Sequence, residues 1–416
     1  MKNLIIEGGN KLTGTIKISG AKNSAVALIP ASLLSDGIVT IDNIPNISDI
    51  EALNEILVYL GAKVERNGET IKIDSTEIIN KEVPENISSK LRASYYFMSA
   101  LLGKYKKVEM FFPGGCSIGA RPIDQTLKAF KTLGAKVVEE NNKFIITAEE
   151  LKGANVYLDM ASVGATINTI LVASKAKGKT TISNAAKEPE IVNVATFLNN
   201  MGAKITGAGT SSIRIEGVES LKGCFHEVIP DRIEAGTYII AGALAGDNLK
   251  IDGIIPKHIN SLITKLSEMG ANMKVFDESI IISKTELKST SIKTLGYPGF
   301  PTDLQQPFTT LLTQCIGESF VEETIYEDRF QNIQYLNKMG ANIKINNNNR
   351  KIKISGLTKL KGTEIVATDL RSGACMVLAG LVASGTTIVS EVEHVLRGYE
   401  NIVEKLTNVG AKIKLD

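Results

Sequence analysis

Two groups of residues in this 416-residue chain have types and spacing suited to chemistry. The first centres on Cys116, in Phe112-Pro113-Gly114-Gly115-Cys116-Ser117-Ile118-Gly119-Ala120-Arg121-Pro122. Its glycines and prolines cannot continue a helix or an inner strand, so the stretch reads as a loop. Glycines on both sides of the thiol let the backbone approach a ligand closely. By itself the stretch is equally a turn with an incidental cysteine. The second is Asp303, in Gly299-Phe300-Pro301-Thr302-Asp303-Leu304-Gln305-Gln306-Pro307. At a helix start an aspartate is either an N-cap or a general base facing a ligand, and residue type alone favours the cap.

Composition removes several function classes. Hydrophobic residues make up 43%, charged residues 22%, and the formal net charge is +2. So slight an excess argues against a dedicated nucleic-acid or membrane-surface binder. No apolar run approaches the roughly 20 residues that span a bilayer, and the N-terminal apolar stretch is too short for a signal peptide. The four cysteines are scattered, as suits a reducing cytoplasm. His226, His258 and His394 have no metal-ligand spacing, so no metal is expected.

The elements that must position these residues come from an internal repeat. The motif (Leu/Met/Val)-Gly-Ala-(Lys/Asn) recurs with its glycine at 61, 134, 202, 270, 340 and 410, at intervals of 68 to 73 residues. A helical pattern precedes each glycine, which reads as a C-cap. Short alternating strands follow, as around Asn67-Gly68, a hairpin signal. Each unit also begins with a strand and a helix apolar on nearly every side, which must be buried. The unit is close to βαβαββ. The sixth lacks its last strand, and Leu4-Ile5-Ile6-Glu7-Gly8 resembles that missing strand. The expectation is therefore α/β, with one domain over 22–229 and a discontinuous one of 1–21 plus 230–416, three units in each.

Equivalent repeat positions should occupy equivalent places. Lys22, Asp231 and Arg371 each lie 39 residues before their marker glycine, and Arg121 and Arg397 lie 13 before theirs. Arg92, Gly164 and Asp303 fall at related phases. Cations at helix N-termini oppose the helix dipole. Either each pairs with a nearby carboxylate, or an external anion balances them. Five in related places favour a polyanionic ligand.

Taken together, Ser19-Gly20-Ala21-Lys22-Asn23, Leu91-Arg92-Ala93-Ser94, the loop from Pro113 to Asp124, Ser162-Val163-Gly164-Ala165-Thr166, Pro230-Asp231-Arg232, Phe300-Pro301-Thr302-Asp303, Asp369-Leu370-Arg371 and Arg397-Gly398-Tyr399-Glu400 resemble the UDP-N-acetylglucosamine 1-carboxyvinyltransferase family over essentially the whole chain. The resemblance implies a two-domain inside-out α/β barrel and transfer of enolpyruvyl from phosphoenolpyruvate to the sugar 3-hydroxyl, the first committed step of peptidoglycan synthesis. The fold also serves 5-enolpyruvylshikimate-3-phosphate synthase, which lacks the cysteine, so fold alone does not choose the substrate.

The same resemblance implies the residue roles. Lys22, Arg121 and Arg397 hold the phosphate and carboxylate of phosphoenolpyruvate, while Arg92 and Arg371 steer anions. Asn23, Pro122, Ile123, Asp124, Gln125, Ser162, Val163, Gly164 and Ile325 line the nucleotide-sugar site. Asp303 takes the 3-hydroxyl proton. Cys116 delivers a proton, since a thiol of pKa about 8.5 is mostly protonated at neutral pH. As a thiolate it accounts for a covalent phosphoenolpyruvate adduct and for inactivation by the epoxide fosfomycin. No cofactor, nucleic acid or membrane is implied, and a cytoplasmic monomer is expected. Met160 departs from the pattern, standing where some relatives carry a lysine near the nucleotide phosphates. Cys315 and Cys375 read as buried small hydrophobes.

Overall fold

The computed structural model describes residues 2–114, 123–346 and 348–416. Cys116, Arg121 and Pro122 lie outside the described residues. The chain forms two compact units, one of residues 2–19 and 230–416 and the other of 20–114 and 123–229. Each has its own core. Leu28, Phe97, Leu171 and Phe197 belong to the second; Leu4, Tyr238, Phe308 and Met376 belong to the first.

Burial follows from pattern. The helices Lys22–Ala31, Tyr96–Tyr105 and Val163–Ala173 are apolar on almost every side and lie inside their unit. Arg232–Ala245, Thr302–Thr313 and Leu370–Val382 do the same in the other, where all three pack on one another. The strands alternate, as in Thr70–Asp74 and Ser212–Glu216, so each sheet buries one face and wets the other. Helices inside and sheets outside is the inside-out arrangement.

The six marker glycines explain the repeat. All have positive φ, from 89° at Gly270 to 103° at Gly202 and Gly340, where a Cβ is unfavourable. After each, the alanine N–H returns to the carbonyl five residues earlier. Ala62 donates to Leu57 at 3.0 Å, Ala135 to Phe130 at 2.9 Å, and Ala203, Ala271, Ala341 and Ala411 follow suit. This is the Schellman ending, and the alanine turns the chain into its hairpin.

The chain ends pair. Leu4–Glu7 lies between Thr386–Ser390 and Lys412–Leu415, antiparallel to both. Gly8 then does what Gly217 and Gly356 do in other units. A Cβ on each would sit 2.0, 1.6 and 2.1 Å from the carbonyl oxygens of Ala383, Ala176 and Cys315.

Two features depart from the simple repeat. The opening strand of the second repeat is only a bridge between Val83 and Met110, leaving that sheet three-stranded where the other five have four. Secondly, the first and fourth repeats exchange a strand. Thr15–Lys17 pairs in parallel with Leu249–Asp252, and Phe225–Glu227 pairs in parallel with Ile38–Asp42. Elsewhere the parallel partner comes from within the repeat, as with Asn155–Tyr157 and Lys179–Ser183. An edge strand of three residues looks the same in sequence whichever sheet it joins, so periodicity did not show the exchange.

Candidate active site

Asp303 is the centre of the polar cluster in the unit of residues 2–19 and 230–416. It is the second residue of its helix, not the cap. That position belongs to Pro301, and no side chain caps the helix. The aspartates that do cap helices are Asp231, accepting from Ile233 and Glu234, and Asp369, accepting from Arg371 and Ser372. The carboxylate of Asp303 instead takes a bond from each of two guanidiniums, Arg329 to Oδ1 at 2.8 Å and Arg371 to Oδ2 at 3.1 Å. Burial would raise this carboxyl, but Arg371, Arg329 and more distantly Arg232 outweigh it and hold the group well below the usual carboxylate range. Its side chain keeps 26% of its surface exposed, whereas those of Arg329 and Arg371 keep 2% and 7%. One partly open carboxylate thus faces solvent over two sunken cations.

Arg371 also donates to the hydroxyl of Tyr399 at 3.1 Å, and that oxygen shares a 2.9 Å bond with Thr237. Tyr399 is 1% exposed and lies two residues beyond Arg397. Arg397 follows the short helix Glu393–Leu396 as its C-cap, so its expected place at a helix N-terminus is not what the fold shows. Ile325 is partly exposed on the loop after Gly317–Glu322, and its N–H donates to Glu323.

The other unit carries Lys22 as the first residue of its helix, paired to Asp49 Oδ2 at 2.7 Å. Asp49 is in the first turn of Ser48–Leu60, where an acid suits the dipole. The idea that an external anion must balance these cations is therefore corrected for two of them: Lys22 has Asp49 and Arg371 has Asp303. Such pairs were invisible because partners from other elements have no fixed spacing. Asn23 follows on the same helix.

Arg92 opens the 3-10 turn Arg92–Tyr95, its guanidinium 5.8 Å from the centre of the Tyr95 ring. The Tyr95 hydroxyl reaches Gly164, where a Cβ would lie 1.7 Å from it. Gly164 is thus a seat for Tyr95 inside the first turn of Val163–Ala173, which Ser162 caps by accepting from Ala165. Nearby, Ile123 caps Asp124–Thr132 by position, and Asp124 is its first residue. Gln125 accepts from the Asp159 N–H at 2.8 Å, and Lys128 holds the Asp159 carboxylate at 2.7 Å. Met160 is exposed beside them, and Lys128 places a cation on the residue just before it. Sequence reasoning missed Arg329, Asp49, Tyr399 and Lys128. Among the described residues no group of histidines, cysteines and acids is placed to hold a metal, and no helix is long and apolar enough to cross a membrane.

Comparison with known proteins identifies the family. Residues 6–406 match the model of EPSP synthase (3-phosphoshikimate 1-carboxyvinyltransferase). UDP-N-acetylglucosamine 1-carboxyvinyltransferase 2 of Geobacillus kaustophilus is 51% identical over 414 residues, covering 99% of this chain and 96% of that protein. The protein of the same name in Listeria monocytogenes is 52% identical over 411 residues, covering 99% and 97%. Among solved structures, the enolpyruvyl transferase NikO from Streptomyces tendae superposes with a TM-score of 0.90 at 26% identity, covering 100% of this chain and 98% of that one. EPSP synthase from Acinetobacter baumannii gives 0.77 at 19% identity over 100% of both chains and shares the fold. With a family model spanning nearly its whole length and relatives at half identity, this chain belongs to the EPSP synthase family of enolpyruvyl transferases, in its UDP-N-acetylglucosamine 1-carboxyvinyltransferase branch.

Proposed function

We propose that the chain moves the enolpyruvyl group of phosphoenolpyruvate to the 3-hydroxyl of UDP-N-acetylglucosamine and releases phosphate, the entry step of peptidoglycan synthesis. The observation that carries the site assignment is Asp303 held between Arg329 and Arg371. The names of the half-identical relatives support the choice of substrates.

The sugar oxygen bonds to C2 of phosphoenolpyruvate as its proton passes to Asp303, and Cys116 supplies a proton to C3. The tetrahedral ketal then returns a proton from C3 to the Cys116 thiolate, the C2–O bond to phosphate breaks, the double bond returns, and the proton on Asp303 leaves with the departing phosphate. Atoms and electrons balance without a metal or redox cofactor, and we propose none. Two arginines make Asp303 a weak base at rest. An anion that draws Arg371 toward itself raises the basicity of Asp303, so phosphoenolpyruvate binding prepares the base. Lys22, Arg121 and Arg397 take the phosphate and carboxylate, the arginines through their planar forks. Arg92 guides anions inward. Asn23, Pro122, Ile123, Asp124, Gln125, Ser162, Val163, Gly164 and Ile325 line the nucleotide-sugar site. When ionised, Cys116 adds to C2 of phosphoenolpyruvate as a side adduct. The enzyme works as a cytoplasmic monomer.

Phosphate release with both substrates tests the reading. Release only with both supports it; no release at micromolar enzyme overturns it. Release with shikimate 3-phosphate instead, insensitive to fosfomycin, would assign the chain to the other branch of the fold.

A further inference from the structure

A second, partly buried cluster gathers around Ser19. The Ser19 N–H donates to Glu234 Oε2 at 2.8 Å, and its carbonyl accepts from the Asp231 N–H at 2.9 Å. Its hydroxyl donates to Glu400 and accepts from Lys405 Nζ at 2.6 Å. Lys405 closes the ring on Glu234 Oε1 at 2.7 Å, with side-chain exposures of 16% and 3%. Desolvating a lysine and a glutamate in this way is costly, and a well-packed apolar pair would often serve stability as well.

The cluster has a geometric consequence for the turn that carries Arg397. Gly398 lies against Leu370, where a Cβ would meet the side chain at 2.5 Å. Tyr399 is bonded to Arg371 and Thr237. Glu400 is held by Ser19, and Asn401 takes a left-handed φ of 49° before the helix Ile402–Asn408, which carries Lys405. Three successive residues after Arg397 are therefore each fixed to a different partner, and the last depends on the Ser19 ring.

We propose that Glu234 and Lys405 are positioning residues for enolpyruvyl transfer, fixing through Ser19 and Glu400 the turn from which Arg397 reaches the anionic substrate. This rests on the assignment of Arg397 to phosphoenolpyruvate. Neither residue touches substrate; each acts through the turn, so their loss should weaken phosphoenolpyruvate binding selectively.

The test compares Glu234→Gln, Lys405→Met and the milder Ser19→Ala with the unaltered enzyme in steady-state kinetics and thermal melting. Expected is a rise of about tenfold or more in KM for phosphoenolpyruvate, a KM for the nucleotide sugar within twofold, and partial recovery in Lys405→Arg. An unchanged phosphoenolpyruvate KM, whatever the melting temperature does, overturns the proposal, as does an equal rise in both KM values. If Lys405→Met does not fold, Ser19→Ala decides. Calorimetric binding of phosphoenolpyruvate reads the same change without turnover, so a wrong reaction and a wrong positioning role give different results.

Discussion

Asp303 and Arg371 meet at 3.1 Å from two helices that begin side by side, and each stabilises the charge of the other. The carboxylate lowers the cost of burying the guanidinium, and the guanidinium keeps the carboxylate ionised. Asp303→Asn should therefore bind the nucleotide sugar normally and turn over slower by on the order of 10²–10⁴-fold. Single-turnover phosphate release, with nucleotide-sugar binding measured alongside, checks this; near-normal turnover returns Asp303 to a structural role.

Lys22 and Asp49 should separate stability from activity. Their side chains keep only 12% and 9% of their surface exposed, so removing one partner costs on the order of 3 kcal/mol. Lys22→Ala loses both turnover and stability. Adding Asp49→Ala to it should recover stability without turnover. Chemical denaturation of the four proteins gives the comparison, and recovery of turnover in the double variant would contradict the role given to Lys22.

Gly164→Ala should displace the Tyr95 hydroxyl, since the new carbon would lie 1.7 Å from it. Overpacking of this kind costs about 1–3 kcal/mol. Tyr95→Phe removes the nearest atom but leaves a ring carbon at 2.9 Å, so it should return part of the loss. Melting temperatures that show no such recovery would disprove the contact.

His226 should make the fold sensitive to acid. Burial pushes its ring below the ordinary value of 6.5, and Asn193 and Asn200 hold its two nitrogens at 2.9 and 3.1 Å. A depressed pKa means that the folded protein binds the proton less readily than the unfolded chain. The stabilisation is complete above about 6.5 and is lost as pH falls below it toward the folded-state value. Melting temperature followed from pH 8 to pH 5 should drop across that range and flatten in His226→Gln. An equal slope in both proteins would assign the acid sensitivity to other groups.

Cys116→Ala should lose turnover and the phosphoenolpyruvate adduct while still binding the nucleotide sugar. Cys116→Asp should turn over, because a carboxylic acid can deliver the proton, and should resist fosfomycin. Mass spectrometry of the treated proteins distinguishes the two, and an adduct on the aspartate variant would move the reactive residue elsewhere.

What could be read from the chain, and what could not, divides along physical lines. The marker glycines were legible because a left-handed C-cap admits little else, and the N-terminal strand because Gly8 meets the same steric limit as Gly217 and Gly356. Repeat phase placed Lys22, Asp303 and Arg371 at helix starts. It misjudged what balances the cations, because phase marks a residue's place along its own repeat and not its neighbour: Asp49 reaches Lys22 from another helix, and Asp303 meets Arg371 from an equivalent helix start. Arg329 carries the same letter as a solvated surface arginine, and only its 2% exposure distinguishes it. Arg397 was misplaced because its segment is a turn after one short helical turn, which the 13-residue count could not separate from a helix start.

The exchanged edge strands bear on the order in which the chain can fold as it is synthesised. Every strand of the 20–229 unit has been made once Glu227 emerges, so that unit can close while the rest is still being added. The other unit cannot. Its strand Thr15–Lys17 waits for Leu249–Asp252, and Leu4–Glu7 waits for partners beyond residue 385. Strands made early are thus among the last to find their place. Shortening the chain at either end should harm the same unit and spare the other.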